Sequence, residues 1–413
     1  MLCAGPIPRK PISSAMLART EAAAPASLAA RFAEIRAASA ALAAPLSDED
    51  CAAQSMPDAS PVKWHLAHTS WFFETFILEQ FESGFAPFDP AFRVLFNSYY
   101  NSVGEKHPRS QRGLLSRPGL AKVLAYRANV DARMARLLNG TVPVDCVTLC
   151  ELGLQHEQQH QELVLTDVLH LLAQNPLYPA YGPGWAAASV PAPFEWIEFP
   201  ATLAQIGHAG DGFCFDNELP RHRVFLEPFA LGNRLVTNAE YLCFVEAGGY
   251  NEPRFWLSEG WEFIRTNGIS HPFYWHQTPD GWKIFGLDGL RGLPEEAPML
   301  HLSFYEASAY ALWAGARLPT EAEWEFGAQQ DAATPQLFGT AWQWTSSAYT
   351  AYPGFQAPAG AVGEYNGKFM VNQYVLRGSS FATPVDHSRL SYRNFFPATA
   401  RWQFTGLRLA RSI

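Results

Sequence analysis

Between residues 27 and 172, apolar side chains recur every three to four positions. In "SLAARFAEIRAASAALAA", Leu28, Phe32, Ile35 and Leu42 fall on one stripe, the spacing of a helix with one buried face. "PVKWHLAHTSWFFETFILEQF" opens with Pro61, whose fixed φ suits a first helical turn, and runs to about Phe81. Two more helical stretches follow: "GLAKVLAYRANVDARMARLLNG", closed by Asn139 and Gly140, and "VDCVTLCELGLQHEQQHQELVLTDVLHLL". Four helices in this order predict a bundle over residues 27–173, a scaffold that can be furnished with ligands from facing helices.

The texture then changes. Residues 174–193, rich in Pro, Gly and Ala, predict a linker. From 194 to 413, short strand-like pieces such as "HRVFLEPFAL" alternate with aromatic, Gly- and Pro-punctuated loops. Only "TNAEYLCFVEAGGY" and "SFYEASAYALWAGA" read as helices there. The expected class is α+β: a helical domain, then a loop-rich mixed one. Residues 1–26, basic and broken by prolines, predict a disordered leader and no signal peptide, with Met16 as an alternative start.

Composition narrows the function. Hydrophobic residues make up 48%, aromatics 14% and charged residues 17%, so the chain has ample core to bury. A net charge of -9 without any basic run excludes a general nucleic-acid binder and points to small-molecule partners. No apolar run is long enough for a membrane span. Six scattered cysteines predict reduced thiols in the cytoplasm; Cys146 and Cys150 are helical neighbours better suited to packing than to a metal.

The candidate chemistry lies in "ELGLQHEQQHQELVLTD". His156 and His160 are four residues apart and stack one turn apart on one helix face. A catalytic metal commonly takes three protein ligands and keeps open positions. "KWHLAHTSWFFE" supplies two further candidates, His65 and His68, which spacing alone does not separate. Nitrogen ligands without a thiolate suit iron, copper or zinc.

Longer motifs say more. "WHLAHTSWFFE", "FNSYYNSVG", "QHEQQHQEL", "LPRHRVFLEPFALGNRLVTNAEY", "HLSFYEASAYALWAGARLPTEAEWEFGA", "GTAWQWTSSAY", "VLRGSSF" and "YRNFFPATARWQFTGLRLAR" occur in this order over about residues 45 to 413. Together they resemble the sulfoxide synthases of ergothioneine biosynthesis, the hercynine oxygenases. The resemblance implies a DinB-like four-helix bundle followed by a domain of the formylglycine-generating-enzyme (sulfatase-modifying-factor) type, a C-type-lectin-like fold. It implies Fe(II) held by His68, His156 and His160, which sets His65 aside. It implies O2-dependent joining of hercynine to cysteine or γ-glutamylcysteine as a sulfoxide.

Two adjacent tyrosines after "FNS", Tyr99 and Tyr100, match one branch of the family and imply a proton donor, Tyr99, with Tyr100 in support. Gln159 and Asn394 match positions near hercynine. Where the other branch has an Asp two residues after that Asn, this chain has Phe396, so the thiol pocket differs. The donor carboxylate calls for arginine, with Arg109, Arg112 and Arg393 as candidates. Glu321 and Glu325 read as loop caps and tethers, and Trp342 and Trp344 as core. The last cysteine, Cys243, lies far from the C-terminus, which speaks against formylglycine generation itself, and no room remains for the methyltransferase of ovothiol-type relatives. A selenoneine-type synthase and a non-catalytic metal- or thiol-binding module are the competing readings.

Overall fold

The computed structural model describes residues 27–189, 192–330 and 334–413. The expected leader, with Cys3 and Met16, lies outside them.

Four helices form the bundle: α1 (Leu28–Ala43), α2 (Val62–Phe73), α3 (Leu120–Leu138) and α4 (Val144–Ala173). The Ser27 side chain caps α1 by accepting from Ala30 N at 3.2 Å. α2 starts directly after Pro61 and continues through a π-helical turn, Glu74–Leu78, to Phe81. All twelve α2 residues are buried, so this helix is the hub of the bundle and not a surface helix with one apolar stripe. Gly153 lets α4 approach it: a Cβ there would come within 2.7 Å of the Phe73 ring. Arg36, Glu157 and Arg127 form a buried charge cluster joining α1, α4 and α3, with Arg36 Nη1 2.9 Å from Glu157 Oε2.

The second half carries four helices among the described residues, two more than the pattern predicts: α5 (Asn238–Glu246), α6 (Ser258–Thr266), α7 (Phe304–Trp313) and α8 (Glu321–Gln330). α6 hides in an aromatic loop. α8 lies in a motif read only as scaffold, and Thr320 and Glu323 cap it reciprocally. The capping carboxylate is therefore Glu323. Glu321 instead pairs with Arg393 at 2.9 Å, and Glu325 pairs with Arg377 while accepting from Gly207 N at 2.8 Å.

A four-stranded sheet holds the centre of this half: β1 (Ala341–Ala348), β2 (Gln373–Ser379), β3 (Asn394–Pro397) and β4 (Thr405–Gly406), in spatial order β3-β2-β1-β4. Trp344 is fully buried there, as expected of core. Trp342 is buried but does more than fill space. Its Nε1 donates to Glu162 on α4 at 2.8 Å, and Ser380 Oγ and Thr383 Oγ1 donate to the same carboxylate at 2.6 and 2.7 Å. Burial raises the Glu162 pKa, and the three donors oppose that shift. Glu162 thereby ties α4, which carries His156 and His160, to the sheet of the other half.

Candidate metal centre

His68 projects from α2, and His156 and His160 from α4. Ligand atoms of the three lie within 4.8 Å of one another, and His68 Nε2 is 3.2 Å from His156 Nε2. His68 lies between Trp64 and Trp71, with ring centroids at 4.6 and 5.5 Å. Its Nδ1 faces the Phe96 carbonyl at 2.6 Å. A carbonyl only accepts, so Nδ1 carries the proton and Nε2 keeps its lone pair. His65 points elsewhere, with one ring nitrogen toward Asp167 and the other toward His160.

Burial keeps these imidazoles neutral. Desolvation, aided by His156, pulls His68 well below the ordinary histidine pKa, and desolvation does the same to His160. Desolvation takes His156 down to about 3. Neutral imidazole is the ligating form. The buried His156 Nδ1 has no hydrogen-bond partner among the described residues. Three neutral, convergent nitrogen donors with no carboxylate among them form a donor set that fits a borderline transition metal such as iron(II), and not calcium or magnesium.

An aromatic wall flanks the cluster. Tyr99 and Tyr100 stack at 4.6 Å with their hydroxyls 3.5 Å apart. Tyr100 packs on Trp71 at 5.6 Å. Tyr365, from the second half, stands 5.7 Å from the His156 ring and 6.2 Å from Tyr99. Desolvation raises the pKa of all three phenols, so each holds its proton at neutral pH. The loop after Tyr100 is held by Glu364, which accepts from Asn101 N at 3.0 Å and Ser102 N at 2.8 Å, while Lys368 donates to Tyr99 O.

The structure separates the remaining sequence candidates. Gln159 sits between two phenols: Tyr365 donates to its Oε1, and its Nε2 donates to Tyr392 Oη at 2.6 Å. Tyr392 reaches His387 Nε2 at 3.2 Å, and His387 Nδ1 lies 2.8 Å from Gln155 Oε1. Asn394 starts β3, beside Phe395, which packs toward Phe369 at 6.1 Å and through it toward Tyr99. Arg112 is 3% exposed, stacked 3.3 Å from the Trp64 ring centroid, and donates to Ser60 Oγ and Ser98 Oγ. Among the described residues its Nε has no partner and no carboxylate pairs with it, so burial pushes the guanidinium down to about 9.

The other two arginine candidates make different contacts. Arg109 is exposed and donates to the Asp58 carbonyl. Arg393 uses four of its five N–H groups on Glu321, Asn217 O and Thr350 O, so it is a strut of the second half and not a free fork. Sequence reasoning missed Tyr365, His387 and Tyr392. Their only signal was an aromatic residue in a loop more than two hundred positions from the histidines.

Bundle, histidine cluster and sheet domain together define a class, a DinB-type bundle fused to a sulfatase-modifying-factor domain. Residues 31–174 match the DinB superfamily, and residues 197–336 and 334–413 match the sulfatase-modifying factor enzyme 1-like domain. Hercynine oxygenase from Mycolicibacterium thermoresistibile is 30% identical, covering 89% of this chain and 90% of that protein. Hercynine oxygenase from Mycolicibacterium smegmatis is also 30% identical, covering 89% and 94%. Among solved structures, PvdO from Pseudomonas aeruginosa aligns over 53% of this chain and 94% of its own, at 20% identity and a TM-score of 0.32.

The chain belongs to the hercynine oxygenase family. It is an oxygen-dependent oxidoreductase of a metal-using kind.

Proposed function

We propose that this protein joins hercynine to cysteine or γ-glutamylcysteine at an iron(II) held by His68, His156 and His160, producing the sulfoxide with O2 as oxidant. The observation that carries this reading is the cluster of three neutral imidazoles from α2 and α4 beside two stacked phenols. The balance is one C–H and one S–H lost, one C–S and one S–O bond gained, and O2 reduced by four electrons, its second oxygen leaving as water. Iron(II), when bound, supplies electrons to O2 and coordination positions for the thiolate and the substrate imidazole.

The chain's own residues do the rest. Tyr99 holds a proton at its hydroxyl, made less acidic by burial, and delivers it at the metal face, with Tyr100 fixing the ring by stacking. Gln159 and Asn394 line the hercynine side. Arg112, buried without an anion of its own, pairs with the donor carboxylate, which restores the charge balance that burial disturbs. The aromatic wall of Tyr365, Phe215 and Tyr392 excludes water. The five cysteines of the described residues are free thiols, which supports a reducing, cytoplasmic setting. Among the described residues no helix is long and apolar enough to cross a membrane.

The test is anaerobic purification, iron reconstitution, and aerobic incubation with hercynine and each thiol separately, with products read by mass spectrometry. A coupled sulfoxide that requires iron and O2 is the expected result and names the donor. Full iron loading without coupled product from either thiol overturns the reading.

A further inference from the structure

His65 is not in the proposed ligand set, yet it touches it. It is 3% exposed, and Asp167 beneath it is 7% exposed. Asp167 Oδ2 accepts from Ser60 N at 2.8 Å and faces His65 Nε2 at 3.0 Å. His65 Nδ1 in turn faces His160 Nδ1 at 2.8 Å. Asp167 lies seven residues beyond His160, close to two full turns of α4, so both project from one face toward α2, where His65 bridges them.

The direction of these bonds follows from chemistry. The Asp167 oxygen that accepts from Ser60 N accepts from His65 as well, so the proton of His65 sits on Nε2 and its Nδ1 offers a lone pair. His160 must then donate through Nδ1, which leaves Nε2 as its lone-pair nitrogen. The reverse arrangement would place a proton on His160 Nε2 and remove one donor from the cluster. His68 reaches the same tautomer more simply, through the Phe96 carbonyl. His160 has no such carbonyl partner at Nδ1; the neighbouring imidazole takes that place.

We infer that Asp167 and His65 are a positioning pair that fixes the tautomer and ring orientation of His160, so that its Nε2 is presented to the metal. The inference rests on the reading of His160 as a metal ligand. A hydrogen-bonded partner behind a ligating histidine typically changes metal affinity by roughly 10–100-fold. The pair also links the ligand to the start of α2, because Ser60 N holds the same Asp167 oxygen.

The test uses the full apo-protein and Co(II) alone as probe, with affinity measured by competition against a chromophoric chelator and folding checked by thermal midpoint. His65→Leu removes the acceptor and is expected to weaken Co(II) binding by roughly 10–100-fold. His65→Gln keeps an acceptor oxygen and Asp167→Asn keeps an oxygen for both Ser60 N and His65, so both are expected to bind within about threefold of wild type. Asp167→Ala, expected to weaken binding like His65→Leu, serves if the leucine variant does not fold. Two-bond ¹H–¹⁵N spectra of ¹⁵N-histidine-labelled apo-protein are expected to show His160 protonated at Nδ1. His65→Leu binding Co(II) as tightly as wild type, or His160 protonated at Nε2 in the apo-protein, overturns the positioning pair. His160→Ala separates the two readings: if it binds Co(II) unchanged, the ligand assignment itself falls, whereas a loss there alongside an unaffected His65→Leu removes only the pair.

Discussion

The histidine pocket of the bundle and the arginine–carboxylate lattice under the four-stranded sheet are both buried and both polar, but they are satisfied differently. In the lattice, Arg377 meets Glu325, Arg393 meets Glu321, and Arg401 meets Glu306. In the pocket, among the described residues, Arg112 has no carboxylate, Arg112 Nε and His156 Nδ1 have no partner, and three imidazoles converge without an acid between them. A paired buried charge is committed to the fold, whereas an unpaired buried group stores free energy that a ligand can recover. Single unsatisfied groups occur in the scaffold too, as at Arg377 Nε; what marks the pocket is that unpaired groups converge on one point.

The largest effect that tests this contrast comes from breaking the lattice. Glu325→Ala strands Arg377 in the core and is expected to cost about 3–5 kcal/mol, read as a fall in denaturation midpoint. In the pocket, Tyr99→Phe is expected to leave stability and metal loading unchanged while lowering sulfoxide formation by about 100-fold or more. Unchanged turnover would move Tyr99 from the chemistry to packing.

Arg112→Met sharpens the comparison directly. With no carboxylate to strand, it is expected to change stability by less than about 1 kcal/mol while raising KM for the thiol roughly 10–100-fold, the worth of a charged hydrogen bond. A large loss of stability would place Arg112 in the scaffold class. Gly153→Ala probes the close approach that brings the histidine-bearing helices together, and is expected to cost about 1–3 kcal/mol through overpacking against Phe73, visible in thermal unfolding.

The smallest effect is a pH dependence. Burial lowers the His301 pKa to about 4. A depressed histidine stays neutral in the folded chain while the unfolded chain takes up its proton below its ordinary value near 6.5, so stability falls as pH drops through that range. Between pH 7 and 5.5 this contributes about 1 kcal/mol, which His301→Gln is expected to abolish in paired unfolding curves.

What could be read in advance follows the same physics. Local periodicity revealed α1, α3 and α4, and the i, i+4 histidines were visible on their own. Choosing His68 over His65 was not possible from pattern, because α2 is buried around its whole circumference and offers no polar face to subtract. Family resemblance made that choice; in the structure the His65 side chain lies behind His160. Tyr365, Tyr392 and His387 reach α4 through contacts spanning 206 to 233 positions, which no local pattern encodes. α6 escaped notice because its nine residues, SEGWEFIRT, lie between aromatic loop segments and lack a capping side chain. Arg393 looked like a free fork only because Glu321, its partner, is 72 positions away.

The tie through Glu162 also sets a mechanical tolerance. It sits two residues beyond His160 on α4, about 3 Å along the helix axis. A docking error of about 10° pivoting at that point would displace His160 by only about half an ångström, whereas the same error pivoting at the end of α4, about 20 Å away, would move it by several. Fastening the second domain so near His160 shortens the lever arm, so a small docking error leaves the aromatic residues of that domain in register with the imidazoles.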